Sequence, residues 1–64
     1  MKNQKTIIKI FDKILENNFS EALKIQVKHA KTCCKNIQNP TDFEVFNYQF
    51  WSLVNICEYY LKTL

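Results

Sequence analysis

The sequence predicts an all-α protein: a three-helix bundle in which a helical hairpin packs against a long, aromatic-rich C-terminal helix. Three observations carry that expectation. Apolar residues recur at helical spacing in three stretches, separated by Asn17-Asn18 and by Gln38-Asn39-Pro40. Glycine is absent and proline appears once in 64 residues, whereas an all-β domain of this length needs several tight turns with positive φ. Seven of the nine aromatic residues fall between Phe43 and Tyr60, inside the last of the three stretches. The competing topology is a bent two-helix hairpin that dimerises into a four-helix bundle.

The first helix is expected over about residues 4–16. Ile7, Ile8, Ile10, Phe11, Ile14 and Leu15 share one side, and Lys9, Asp12, Lys13 and Glu16 the other. Asn17-Asn18 breaks the pattern, since asparagine tolerates the left-handed conformation that ends helices and also caps the next one. Continuing one helix through this point would turn the apolar stripe by about 100°.

The second helix is expected over about residues 19–36, opened by a capping box in Asn18-Phe19-Ser20-Glu21. Phe19, Ala22, Leu23, Val27, Ala30, Cys33, Cys34 and Ile37 form its inward stripe, and Lys24, Lys28, Lys31 and Lys35 a basic face opposite. The six residues Asn18 to Leu23 resemble the turn and second-helix start of a tetratricopeptide unit. Nothing repeats at a period near 34 residues, so this segment is read as a hairpin turn and no function is carried over.

The third helix is expected over about residues 41–62. Thr41-Asp42-Phe43-Glu44 has the form of a capping box, and Asn39 with Pro40 at the first helical position is the rival start. Phe43, Phe46, Phe50, Leu53, Val54, Cys57, Tyr60, Leu61 and Leu64 fill an arc of about 120° at 100° per residue. A second, narrower stripe runs on nearly the opposite side through Val45, Tyr48, Ser52, Ile56 and Tyr59, with Trp51 off both. A helix apolar on two sides is either central in a core or shared with another chain. The expectation is therefore that this helix is central, and that Val45, Tyr48, Trp51, Ile56 and Tyr59 line an interface.

One domain, residues 1–64, is near the lower limit for folding alone. A chain this short buries only about 60% of its unfolded surface, and its core supplies roughly 3–5 kcal/mol. At 47% hydrophobic and 14% aromatic the composition is that of a folded globule. All nine basic residues are lysine, which together with abundant Asn and Ile reflects AT-rich codons. The net charge of +3 permits an acidic partner without requiring one. Three cysteines are too few, and odd in number, for a secreted disulfide framework, so a reduced cytoplasmic setting is expected. Lys9 and Asp12 interrupt the N-terminal apolar run before it could serve as a signal peptide. Polar residues from Glu44 to Glu58 likewise argue against a membrane span in the third helix.

No catalytic or cofactor signature stands out. His29 and Cys33 are four apart on one helical face and Cys57 could approach them, but zinc needs a further ligand and no C-x-x-C is present. A cysteine nucleophile needs a lowered pKa and a neighbouring base, and only one histidine could serve. A phosphate-binding loop is excluded without glycine. No metal, cofactor or enzymatic activity is therefore expected. The basic face could track a nucleic-acid backbone, yet without arginine the usual bidentate reader of guanine is missing. The first helix, basic and amphipathic, could lie on a membrane surface, but helices two and three need it as a wall. The function expected is a small protein-interaction module, an adaptor, inhibitor or regulator acting on a protein partner or as a homo-oligomer. Size and codon bias fit a phage- or plasmid-borne chain. A DNA- or RNA-binding regulator using the lysine face is the alternative.

Overall fold

The computed structural model describes residues 2–64. It consists of α1 (Gln4–Glu16), α2 (Glu21–Lys35) and α3 (Pro40–Lys62), with no strand among the described residues. The three helices pack as a bundle of 33 × 19 × 17 Å. At 1.5 Å per residue, the 23 residues of α3 extend about 34 Å. The longest helix therefore runs the length of the molecule, and the shorter α1 and α2 leave part of it uncovered.

Each helix starts on a polar side chain that accepts from an otherwise unpaired amide. Asn3 accepts from the Thr6 N–H at 2.8 Å to open α1. The Ser20 hydroxyl accepts from the Leu23 N–H at 3.3 Å to open α2, two residues later than the box at Asn18 predicts. The delay has a local cause. The Phe19 N–H is taken by the Asn17 carbonyl at 3.0 Å, and the Phe19 ring lies 5.7 Å from that of Tyr60, so residues 17–19 are held in a turn. At α3 the rival start prevails: the Asn39 side chain accepts from the Asp42 N–H at 2.9 Å, its amide donates to the Asp42 carboxylate at 2.8 Å, and Pro40 opens the helix. Proline loses nothing there, because its missing N–H would have had no helical partner.

Neither turn uses the left-handed conformation that the asparagines were expected to supply; no described residue has positive φ. Asn17 is extended and ends α1 by donating, from its side-chain amide to the Lys13 carbonyl at 2.6 Å and from its N–H to the Ile14 carbonyl at 3.3 Å. Two carbonyls left over at the helix end are satisfied in this way.

α1 and α2 form an antiparallel hairpin whose open end is tied across the fold. The Gln4 side-chain amide donates to the carbonyls of Cys34, at 2.6 Å, and Ile37, at 3.2 Å. α2 and α3 are also antiparallel, as the Phe19–Tyr60 and His29–Phe50 ring pairs show. The core consists of Ile7, Ile10, Phe11 and Ile14 from α1, Val27, Ala30 and Cys34 from α2, and Phe46, Val54 and Cys57 from α3. α1 packs extensively against both other helices, while α2 and α3 touch each other least. The central element is thus α1 and not α3. Four closely spaced large apolar side chains on a short helix are enclosed more completely than the same chemistry spread along a long one.

Four assignments on the inward stripes change with this packing. Ala22, Tyr60 and Leu64 are exposed; Leu64 lies beyond the end of α3. Asn47 is buried, its side-chain amide donating to the Phe43 carbonyl one turn earlier at 3.2 Å. That bond satisfies the amide within its own helix and lets it sit among apolar neighbours.

Candidate functional site

The outer face of α3 follows from how its inner face is used. Phe46, Val54 and Cys57 are buried, and Phe43, Phe50, Leu53 and Leu61 pack partly against the core. Phe43, Phe46 and Phe50 stack in series, with ring centroids 6.1 and 4.7 Å apart. With that arc committed, the residues about 180° away point to solvent. Val45 is 51% exposed, Tyr48 89%, Trp51 50%, Ile56 46% and Tyr59 65%. Val45, Tyr48, Ile56 and Tyr59 form a row of about four helical turns on the free side of α3, and Trp51, about 100° round the helix from Ser52, is exposed on the flank of that row. No charged residue occurs from Val45 to Cys57, so the row carries no ionic group along its middle.

The rest of the surface differs in kind. Residues 2–35 carry eight lysines against three acids, whereas α3 carries Lys62 against Asp42, Glu44 and Glu58. Of the four lysines on the predicted basic face, Lys28 and Lys35 are exposed, and Lys24 and Lys31 are half-buried. Lys31 is engaged with the Asp12 carboxylate of α1. A second ion pair joins Lys2 to Glu58 at 2.7 Å, tying the start of α1 to α3. The basic face is therefore partly committed to holding the hairpin together.

His29 and Cys33 meet as their spacing implies, with Nε2 and Sγ 3.8 Å apart. They line an open groove of about 410 Å³ with Phe46, Gln49 and Phe50. Cys57 does not join them: it is buried in the core seven residues beyond Phe50, about 10 Å of helical rise. Among the described residues no three His, Cys, Asp or Glu side chains cluster as a metal site would require. Burial pushes the Cys57 thiol up to about 11, and burial, with Cys33 beside it, raises Cys34 as well. Both effects favour the neutral thiol over the thiolate.

Two surface features had no signal in the periodicity. Ile25 of α2 is exposed, a lone apolar residue outside every stripe. A groove of about 330 Å³ between α1 and the end of α3 has Ile10 and Leu61 as its floor and Lys9, Lys13 and Lys62 at its rim. One turn of α1 sets Lys9 beside Lys13, and the docking of α1 on α3 adds Lys62, with Glu58 in the same lining. Among the described residues no helix is long and apolar enough to cross a membrane. Comparison of the chain with protein-family models, with curated proteins and with solved structures gave no match.

Proposed function

We propose that this chain is a non-enzymatic protein-interaction module whose contact surface is the outer face of α3. The observation that carries the reading is the set Val45, Tyr48, Trp51, Ile56 and Tyr59, all exposed on a helix that carries no charge from Val45 to Cys57. Contiguous apolar patches on small soluble domains mark contact sites, whereas apolar residues scattered singly do not. Tyrosine and tryptophan suit such a surface, since each offers a large apolar ring and a polar atom that stays hydrated when the partner is absent. Burial of Cys34 and Cys57 keeps those two thiols neutral and sets them in the core, away from any contact with a substrate.

A photoreactive phenylalanine analogue tests this when placed at Tyr48 and, as a control, at Lys28. Irradiation in the native cell should give protein adducts from position 48 and few from position 28. Equal yields from both sites would remove the distinction on which the reading rests. The alternative, binding of nucleic acid through Lys24, Lys28, Lys31 and Lys35, is supported by the exposed lysines of α2. Tight, salt-sensitive binding to duplex at physiological salt, weakened when these four become glutamine, would put that alternative first. The interaction reading expects no such binding.

A further inference from the structure

We infer that the occupant of this face is a second copy of the same chain, its α3 lying antiparallel about a two-fold axis at Ser52. The inference rests on the contact-surface reading above and names the partner. Its basis is the spacing of the row. Val45 and Tyr59 each lie seven residues from Ser52, and Tyr48 and Ile56 each lie four, so the stripe reads the same in both directions. A two-fold contact is isologous: the same patch is used by both subunits, and residue i meets j while j meets i. Antiparallel pairing centred on Ser52 sets Val45 against the partner's Tyr59 and Tyr48 against the partner's Ile56. Serine, the smallest residue of the row, stands where the helices come closest.

Charge then chooses between antiparallel and parallel pairing. At 100° per residue, Glu44 and Lys62 both fall about 80° from Ser52 on the same flank of the stripe. In the antiparallel arrangement Glu44 comes within two residues of rise of the partner's Lys62, and symmetry makes the contact twice. A parallel two-fold pair would instead bring Glu44 to the flank of the partner's Asp42, which lies about 80° from Ser52 on the other side, so that like charges meet, and would also align the two helix dipoles. No charge lies within the seam, so pairing buries no ion. Fully covered aromatic rings contribute 150–250 Å² each, so the exposed fractions along the row offer roughly 500 Å² per chain. Trp51, Gln49 and Asn55 at the edges bring this toward the roughly 800 Å² per partner of a standard interface. Trp51, on the same flank as Glu44, lies near the axis beside the partner's Trp51.

The experiment uses the full chain. Light scattering between about 2 and 200 µM should show the mass of two chains at the upper end, with the emission of Trp51, the only tryptophan, shifting over the same range. In a Cys33→Ser background, Ser52→Cys should form an interchain disulfide under mild oxidation, and Gln38→Cys should not. Glu44→Lys and Lys62→Glu should each weaken the dimer about fivefold, from two exposed ion pairs turned repulsive, and the double exchange should restore it. A dimer that fails to cross-link at position 52, or that ignores both single charge reversals, overturns the antiparallel arrangement. A chain that stays single at 200 µM overturns self-pairing; Tyr48→Lys plus Ile56→Lys then separates two cases. If that variant folds as the parent does, the face remains a contact surface for another protein. If it unfolds, the row belongs to the core and the contact-surface reading falls too.

Discussion

Phe11 is the residue on which the fold should depend most. Its ring is fully buried, and it sits on α1, the helix that packs against both others. Replacing a buried phenylalanine by alanine costs about 3–5 kcal/mol, from lost transfer energy and the cavity left behind. A core of this size supplies roughly 3–5 kcal/mol in total, so Phe11→Ala should be largely unfolded at 25 °C. Phe50 lies in the middle of the arc read from the sequence, but it is only half-buried, against Phe46 and His29. Half the burial implies about 2 kcal/mol for Phe50→Ala, or a Tm lower by roughly 8–16 °C at 4–8 °C per kcal/mol. Phe11→Leu, which keeps most of the volume, should cost about 1 kcal/mol. Thermal melts followed by circular dichroism at 222 nm give the order, at one chain concentration throughout because association shifts Tm. A Phe50→Ala variant as unstable as Phe11→Ala would place the weight of the core on α3 and refute the reasoning.

Gln4→Ala removes both cross-hairpin hydrogen bonds and leaves the Ile37 carbonyl without the donor it has in the fold. A loss of about 1–2 kcal/mol is expected in urea titration, and a cost below about 0.3 kcal/mol would show that water replaces the glutamine freely. Asn39→Ala removes the α3 cap and should cost about 1 kcal/mol by the same titration; an unchanged midpoint would mean that Pro40 alone suffices to start the helix. Cys57 makes stability depend on alkaline pH. Its folded pKa of about 11 lies above the usual 9.0, so the contribution is complete below about pH 9 and is lost as pH rises through 11. Urea midpoints for Cys57→Ala should therefore fall less steeply than the parent's between pH 9 and 11, and parallel slopes would exclude the thiol as the cause.

The sequence specified the helices more firmly than their arrangement. The limits of α1 were legible because its apolar residues keep one register until Asn17 breaks it. The exposed row on α3 was legible because it lies opposite an arc already filled by phenylalanines. The centrality of α1 was not, since an apolar pattern marks the face that is buried and not how many neighbours enclose it. Gln4 was silent for a different reason. Its bonds go to backbone carbonyls 30 and 33 residues away, and backbone acceptors leave no trace in side-chain spacing. The commitment of Lys31 to Asp12 was hidden likewise, because a lysine at stripe spacing looks the same whether solvated or paired. At Asn39 and Thr41 two start signals overlapped. Proline settled the choice, because a first-turn proline fits the Asn39 start without losing a hydrogen bond.

The separation of lysines from the aromatic row has a practical chemical consequence. Eight of the nine lysines lie in residues 2–35, and none lies between Lys35 and Lys62. Amine-directed reagents therefore modify the hairpin and the tip of α3 while leaving the row of tyrosines untouched. A chain immobilised through its amines is held chiefly by the hairpin and presents the outer face of α3 to solution. Trypsin divides the molecule in the same way, because its cleavage residues stand before α3 and at its last position, Lys62, with none in between, whereas chymotrypsin finds most of its sites within α3. Exposed helical bonds are cut only on local opening, so the first enzyme reports the fraying of the hairpin and the second that of α3.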